Sequence, residues 1–111
     1  IVGRSTHDPA QAAAAIREGA DYINIGPVFP TATKNTPVVP VGLDMVREIA
    51  RISTVPVTTM GGIGMDNAAD VVRAGADRVA VVTAITKAPD VSRAARTLVD
   101  LVESAKASRS A

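Results

Sequence analysis

Cysteine is absent from the 111 residues, which excludes disulfide staples, thiolate nucleophiles and cysteine-ligated zinc, and fits a reducing compartment. Aromatic residues are nearly absent too: Tyr22 and Phe29 stand alone, with no tryptophan, so there is no stacking platform for bases. Neither sign of charge dominates. Twelve Lys and Arg face eleven Asp and Glu for a net charge of +1, too weak a field to select a nucleic acid or membrane partner. No apolar run approaches the length of a bilayer span and no signal peptide precedes the first strand, so a cytoplasmic location is expected.

What is present is a soluble composition, 47% hydrophobic and 21% charged, with short apolar runs alternating with helical patterns. That alternation predicts an α/β fold of βα units around a parallel sheet. The runs are Ile1-Val2, Tyr22 to Ile25, Val55 to Thr59 and Arg78 to Val82. They are β-branched and bounded by Gly or Pro, as strands buried on both faces should be. Ile1-Val2-Gly3 reads as the end of a buried strand rather than a natural N-terminus, so a missing upstream part is expected.

Asp8 can cap a first helix, with Pro9 in its first turn, Ala10 to Glu18 as its body and Gly19 at its end. Leu43, Val46, Ile49 and Ala50 share one face of a second helix ending at Ile52. A third spans Asp66 to Ala74, with Asp66 as the cap and Gly75 as terminator. The last covers Val91 to Ala107, with Ala95, Leu98, Val99 and Val102 as its stripe, and residues 106–111 are expected to form a frayed tail. Gly19-Ala20-Asp21 and Gly75-Ala76-Asp77 each precede a strand, an echo that favours a regular barrel over convergent use of a good helix stop.

Polar and glycine-rich sequence follows the strands, whereas the helix-to-strand returns are plain. In a parallel barrel the loops after strands converge on one face, where such folds keep their active sites. Gly61-Gly62 allows close backbone approach to an anion, and the segment opened by Thr83 offers further amides, so a phosphate fits between them. Thr31, Thr33 and Lys34 supply two hydroxyls and a flexible cation, a set suited to phosphoryl oxygens. Ser5 can donate to the same anion or bond nearby backbone. His7 is either a proton carrier or a hydrogen-bonding spacer. Asn24 either lines the interior or satisfies a neighbour, and Arg4 is either a free surface charge or an ion-pair partner.

These residues together resemble thiamine phosphate synthase. The likeness rests on Gly3-Arg4-Ser5-Thr6-His7, on Gly19-Ala20-Asp21-Tyr22 running into Gly26-Pro27-Val28-Phe29-Pro30-Thr31-Ala32-Thr33-Lys34, and on Gly42-Leu43. It continues through Gly61-Gly62-Ile63 with Asn67-Ala68, Gly75-Ala76-Asp77 and Ala80-Val81-Val82-Thr83-Ala84-Ile85. The resemblance implies the C-terminal half of a (βα)₈ TIM barrel, with residues 1–111 as a single partial domain carrying about the last four strands. It implies a transferase of thiamine biosynthesis that joins hydroxymethylpyrimidine diphosphate to thiazole phosphate, giving thiamine phosphate and pyrophosphate. Ser5 and Lys34 are implied as the catalytic pair on the diphosphate. Thr31, Ala32, Thr33, Gly62, Val82 and Thr83 are implied as contacts to the thiazole phosphate. Met60 departs from the smaller apolar residue usual in the family.

Magnesium is implied as cofactor, with its aspartate ligands expected in the missing N-terminal half; no Asp of this sequence is assigned to metal. The implied partners are therefore small phosphorylated substrates, and either the missing half barrel or a second copy of the chain. Alone, the fragment is expected to be inactive. Two alternatives compete: a thiazole tautomerase-like isomerase, in which the histidine matching His7 has a role but the Thr-x-Thr-Lys loop is lacking, and a non-catalytic phosphate-binding half barrel.

Overall fold

The computed structural model describes residues 1–30 and 39–110. The elements run β1 (Gly3–Thr6), α1 (Pro9–Arg17), β2 (Tyr22–Ile25), α2 (Gly42–Ile52), β3 (Val57–Thr59), α3 (Ala68–Ala74), β4 (Arg78–Val79), α4 (Thr83–Thr86) and α5 (Val91–Ser110). All neighbouring strands pair in parallel, in the order β1-β2-β3-β4. Each strand thus lies beside the next in sequence, the order of a barrel wall.

The two faces of this sheet differ sharply. Thr6, Ile23, Ile25, Val57 and Thr59 point to the outer face and are 2% exposed or less, packed among Ala12, Ala15, Val46, Ile49, Val71 and other side chains of the helical layer. Their removal from water drives the sheet onto the helices. The alternate residues, Ser5, Tyr22, Thr58 and Arg78, face the other way and stay half-buried or exposed.

The glycine-aspartate echo has a physical basis. The Asp21 amide donates to the Val2 carbonyl at 2.8 Å, and its carboxylate accepts from the Val2 amide at 2.7 Å. The Asp77 amide donates to the Val57 carbonyl at 2.9 Å, and its carboxylate accepts from the Val57 amide at 2.8 Å. Each aspartate thus grips both polar groups of one residue at the start of the preceding strand, which fixes the register of a βαβ pair. Gly75 is needed twice over: its φ is +127°, and a side-chain carbon there would meet the Ala50 Cβ at 2.5 Å.

Several boundaries differ from the sequence expectation. β1 is Gly3–Thr6 rather than Ile1-Val2, so Ser5 sits within a strand; pairing with β2 supplies the strand although these residues are polar. β3 starts at Val57 because Pro56 has no amide to give a ladder, although its carbonyl accepts from Ile23 at 3.1 Å. β4 ends at Val79 rather than Val82. Asp8 caps α1 as expected, accepting from the Gln11 amide at 2.8 Å. Asp66 does not cap α3; Asn67 occupies that position and makes no side-chain cap bond. Among the described residues the buried positions on α5 are Leu98 and Ala105, about two helical turns apart, while Val99 is 58% exposed. The helix also runs past its expected end at Ala107, and of the tail 106–111 the last residue lies outside the described residues. α5 continues to Ser110 because Arg109 docks on the end of α3, donating to the Val72 and Ala76 carbonyls at 2.8 and 3.0 Å.

Candidate active site

Parallel pairing sends the C-terminal ends of all four strands to one edge, and the segments after them form a rim. The segments after β2 and β3 are bound backbone to backbone. The Val28 amide donates to the Met60 carbonyl at 2.9 Å and the Phe29 amide to the Gly61 carbonyl at 3.0 Å. On the far side of the loop, the Val41 and Gly42 amides return to the Pro27 and Val28 carbonyls at 2.9 and 3.0 Å. Both flanks of segment 31–38 are therefore anchored at one place on the rim. Thr31, Ala32, Thr33 and Lys34 themselves lie outside the described residues.

The glycine loop lies against this anchor. Gly61 and Gly62 have φ of +99° and +68°, and a side-chain carbon on Gly62 would meet the Pro30 carbonyl oxygen at 2.5 Å. Conformation and closeness both demand glycine. A carbon on Gly64 would stand 3.8 Å from the Ala84 Cβ of α4, an ordinary contact that sets α4 beside the glycine loop. Val82 and Thr83 at the start of α4 are exposed. The rim thus runs from the proline segment through the glycines to α4.

Below the rim, Ser5, Asn24, Thr58 and Arg78 occupy one cross-strand row, each the register partner of the next. The Thr58 hydroxyl donates to the Asn24 side-chain oxygen at 2.8 Å, so Asn24 both lines the face and satisfies a neighbour. With Tyr22 and Met60 they line an open concavity of about 920 Å³. Among the described residues no hydrogen bond joins Ser5 to Gly62 or Thr83; face and rim are all that associate them. Thr58 and Arg78 escaped the sequence reading, although the alternation around Asn24 and the parallel pairing point to them.

Arg4 pairs with Glu18 at 2.9 Å on the surface. His7 is exposed, with its backbone amide donating to the Gln11 side-chain oxygen at 2.8 Å and its Nδ1 3.2 Å from the same atom. Among the described residues, no group of three or more His, Asp or Glu converges to hold a metal ion. No described helix is long and apolar enough to cross a membrane.

The family model for thiamine monophosphate synthase matches residues 1–85. The thiamine-phosphate synthase of Chloroflexus aurantiacus is 48% identical over 92% of this chain and 47% of its own length. That of Mycolicibacterium gilvum is 50% identical over 95% and 44%. Among solved structures, the thiamine phosphate pyrophosphorylase from Pyrococcus furiosus superposes with a TM-score of 0.83 at 37% identity, covering 95% of this chain and 50% of that one. The chain spans about half the length of the relatives it matches.

Proposed function

This chain belongs to the thiamine monophosphate synthase family, and from that premise we propose that it supplies the C-terminal half of a phosphate-binding (βα)₈ barrel that couples hydroxymethylpyrimidine diphosphate to thiazole phosphate. The products are thiamine phosphate and pyrophosphate. The observation that carries this reading is the backbone lock between the proline segment and the glycine loop, which anchors both flanks of the Thr-x-Thr-Lys stretch beside the Gly62 backbone.

In this reading Thr31, Ala32 and Thr33, with the amides around Gly62 and Val82-Thr83, hold the thiazole phosphate. Lys34 and Ser5 address the diphosphate and stabilise the charge that grows on pyrophosphate as its bond to the pyrimidine methylene breaks. The thiazole nitrogen captures the resulting cation, and the shared rim keeps the two reactants within reach. The described residues do not fit a magnesium site, so no step here is routed through one; its ligands are assigned to the remaining half. The tautomerase alternative gains nothing from His7, whose ring faces Gln11 at the surface.

Residues 1–111 then form one partial domain, carrying about the last four strands. Tyr22 and Met60 stand on the concave face 37% and 46% exposed. Among the described residues, β1 and β4 also end the sheet with unpaired edges. Both features suit a surface that the other half barrel, or failing that a second copy, covers. A cytoplasmic location suits this chemistry.

The test is pyrophosphate release by the complete polypeptide from both substrates. Lys34→Ala is expected to cut turnover by about 100-fold or more, the scale of losing one charge-stabilising group. Unchanged turnover removes the synthase assignment.

A further inference from the structure

Asn67 precedes α3, where an asparagine ordinarily turns its side chain onto the first amides of its own helix. Here it does not: α3 has no side-chain cap bond. Both ends of the Asn67 amide are instead committed to the glycine loop. Its Nδ2 donates to the Gly62 carbonyl at 3.0 Å, and its Oδ1 accepts from the Gly64 amide at 2.8 Å.

A trans peptide directs its carbonyl and its N–H to opposite sides. Holding the Gly62 carbonyl against Asn67 therefore turns the Ile63 N–H, in the same peptide plane, away from Asn67. The Gly64 amide is consumed by Oδ1, while among the described residues neither the Gly62 nor the Ile63 amide donates to any acceptor. Asn67 thereby occupies the Gly64 amide and aims the Ile63 amide, while the Gly62 amide is aimed by the bond from the Phe29 amide to the Gly61 carbonyl of the same peptide. The Ile63 side chain is 6% exposed in the core, so the loop cannot swing as a body, and the peptide orientation is the variable left to set.

From this we infer that Asn67 is a positioning residue for anion binding: it clamps the Gly62–Gly64 backbone so that the Ile63 amide joins the Gly62 amide in facing a phosphate. The inference rests on the phosphate-binding reading given above. It adds the Ile63 amide to the donors and assigns the clamp to a side chain that touches no substrate.

The experiment titrates inorganic phosphate into the complete polypeptide and follows the Gly62 and Ile63 amide resonances, alongside steady-state kinetics. Both amides are expected to shift on phosphate addition. Asn67→Ala is expected to weaken phosphate binding about tenfold and to raise KM for the thiazole phosphate by a similar factor, with kcat changed less than twofold. Asn67→Ser is neutral and keeps an N-cap residue, so it protects the fold, but its short hydroxyl cannot brace both Gly62 and Gly64. The same loss of phosphate affinity is expected from it, with a melting temperature within a few degrees of the parent. Normal phosphate affinity in either folded variant, whatever its melting temperature, reduces Asn67 to a structural brace and overturns the inference. Amides that ignore phosphate in the unsubstituted protein instead overturn the phosphate reading itself, and the positioning role falls with it.

Discussion

The two faces of one four-stranded sheet carry opposite chemistry. On the outer face Ile23, Ile25, Val57 and Thr59 are sealed under helices. On the inner face Ser5, Asn24, Thr58 and Arg78 line an open concavity with Tyr22 and Met60. Adjacent residues on a strand thus answer to different demands. The Ile25 side chain is held by packing, and the Asn24 side chain beside it by a hydrogen bond from the Thr58 hydroxyl. Stability is concentrated on the helical side, which leaves the concave side free to be polar.

The difference can be broken by substitution. Ile25→Ala is expected to destabilise the complete polypeptide most, by about 3–4 kcal/mol in denaturant titrations, because it leaves a cavity in a closed layer. Asn24→Ala next door should cost about 1 kcal/mol; equal costs would mean that the inner face is as closely packed as the outer. Arg109→Ala removes two hydrogen bonds to the end of α3 and the 3.9 Å pairing with Asp77. A loss of about 1–2 kcal/mol is expected, with faster amide exchange at the α3 terminus than in the parent. Smallest is Arg47→Ala, which breaks an exposed pair with Asp44 and should shift stability by no more than about 0.5 kcal/mol.

The sequence was legible where a local signal and the tertiary fold agree. Asp8-Pro9 announces α1, the spacing of Val46 and Ile49 announces α2, and Tyr22 to Ile25 is a strand by composition and by pairing. It was misleading where pairing overrode composition. Gly3 to Thr6 are polar yet form β1, because parallel pairing with β2 at four successive positions supplies the strand. Asp66 looked like the cap of α3, but helix position depends on the glycine loop, and that loop engages Asn67 instead.

The rim itself was legible through its glycines and its position after the strands. What was hidden was the lock between Val28-Phe29 and Met60-Gly61, since backbone hydrogen bonds leave no mark on side-chain identity. The row across Ser5, Asn24, Thr58 and Arg78 needs the register of three strand pairs, which no single stretch of sequence contains.

Whether the concave face is an internal surface is tested most directly by sedimentation and pyrophosphate release on residues 1–111 alone and after co-expression with the remaining half of the polypeptide. Alone, the chain should self-associate and release no pyrophosphate; the two halves together should sediment as one particle and turn over both substrates. A monodisperse monomer of the 111 residues that unfolds cooperatively and gains nothing from the other half would contradict the account.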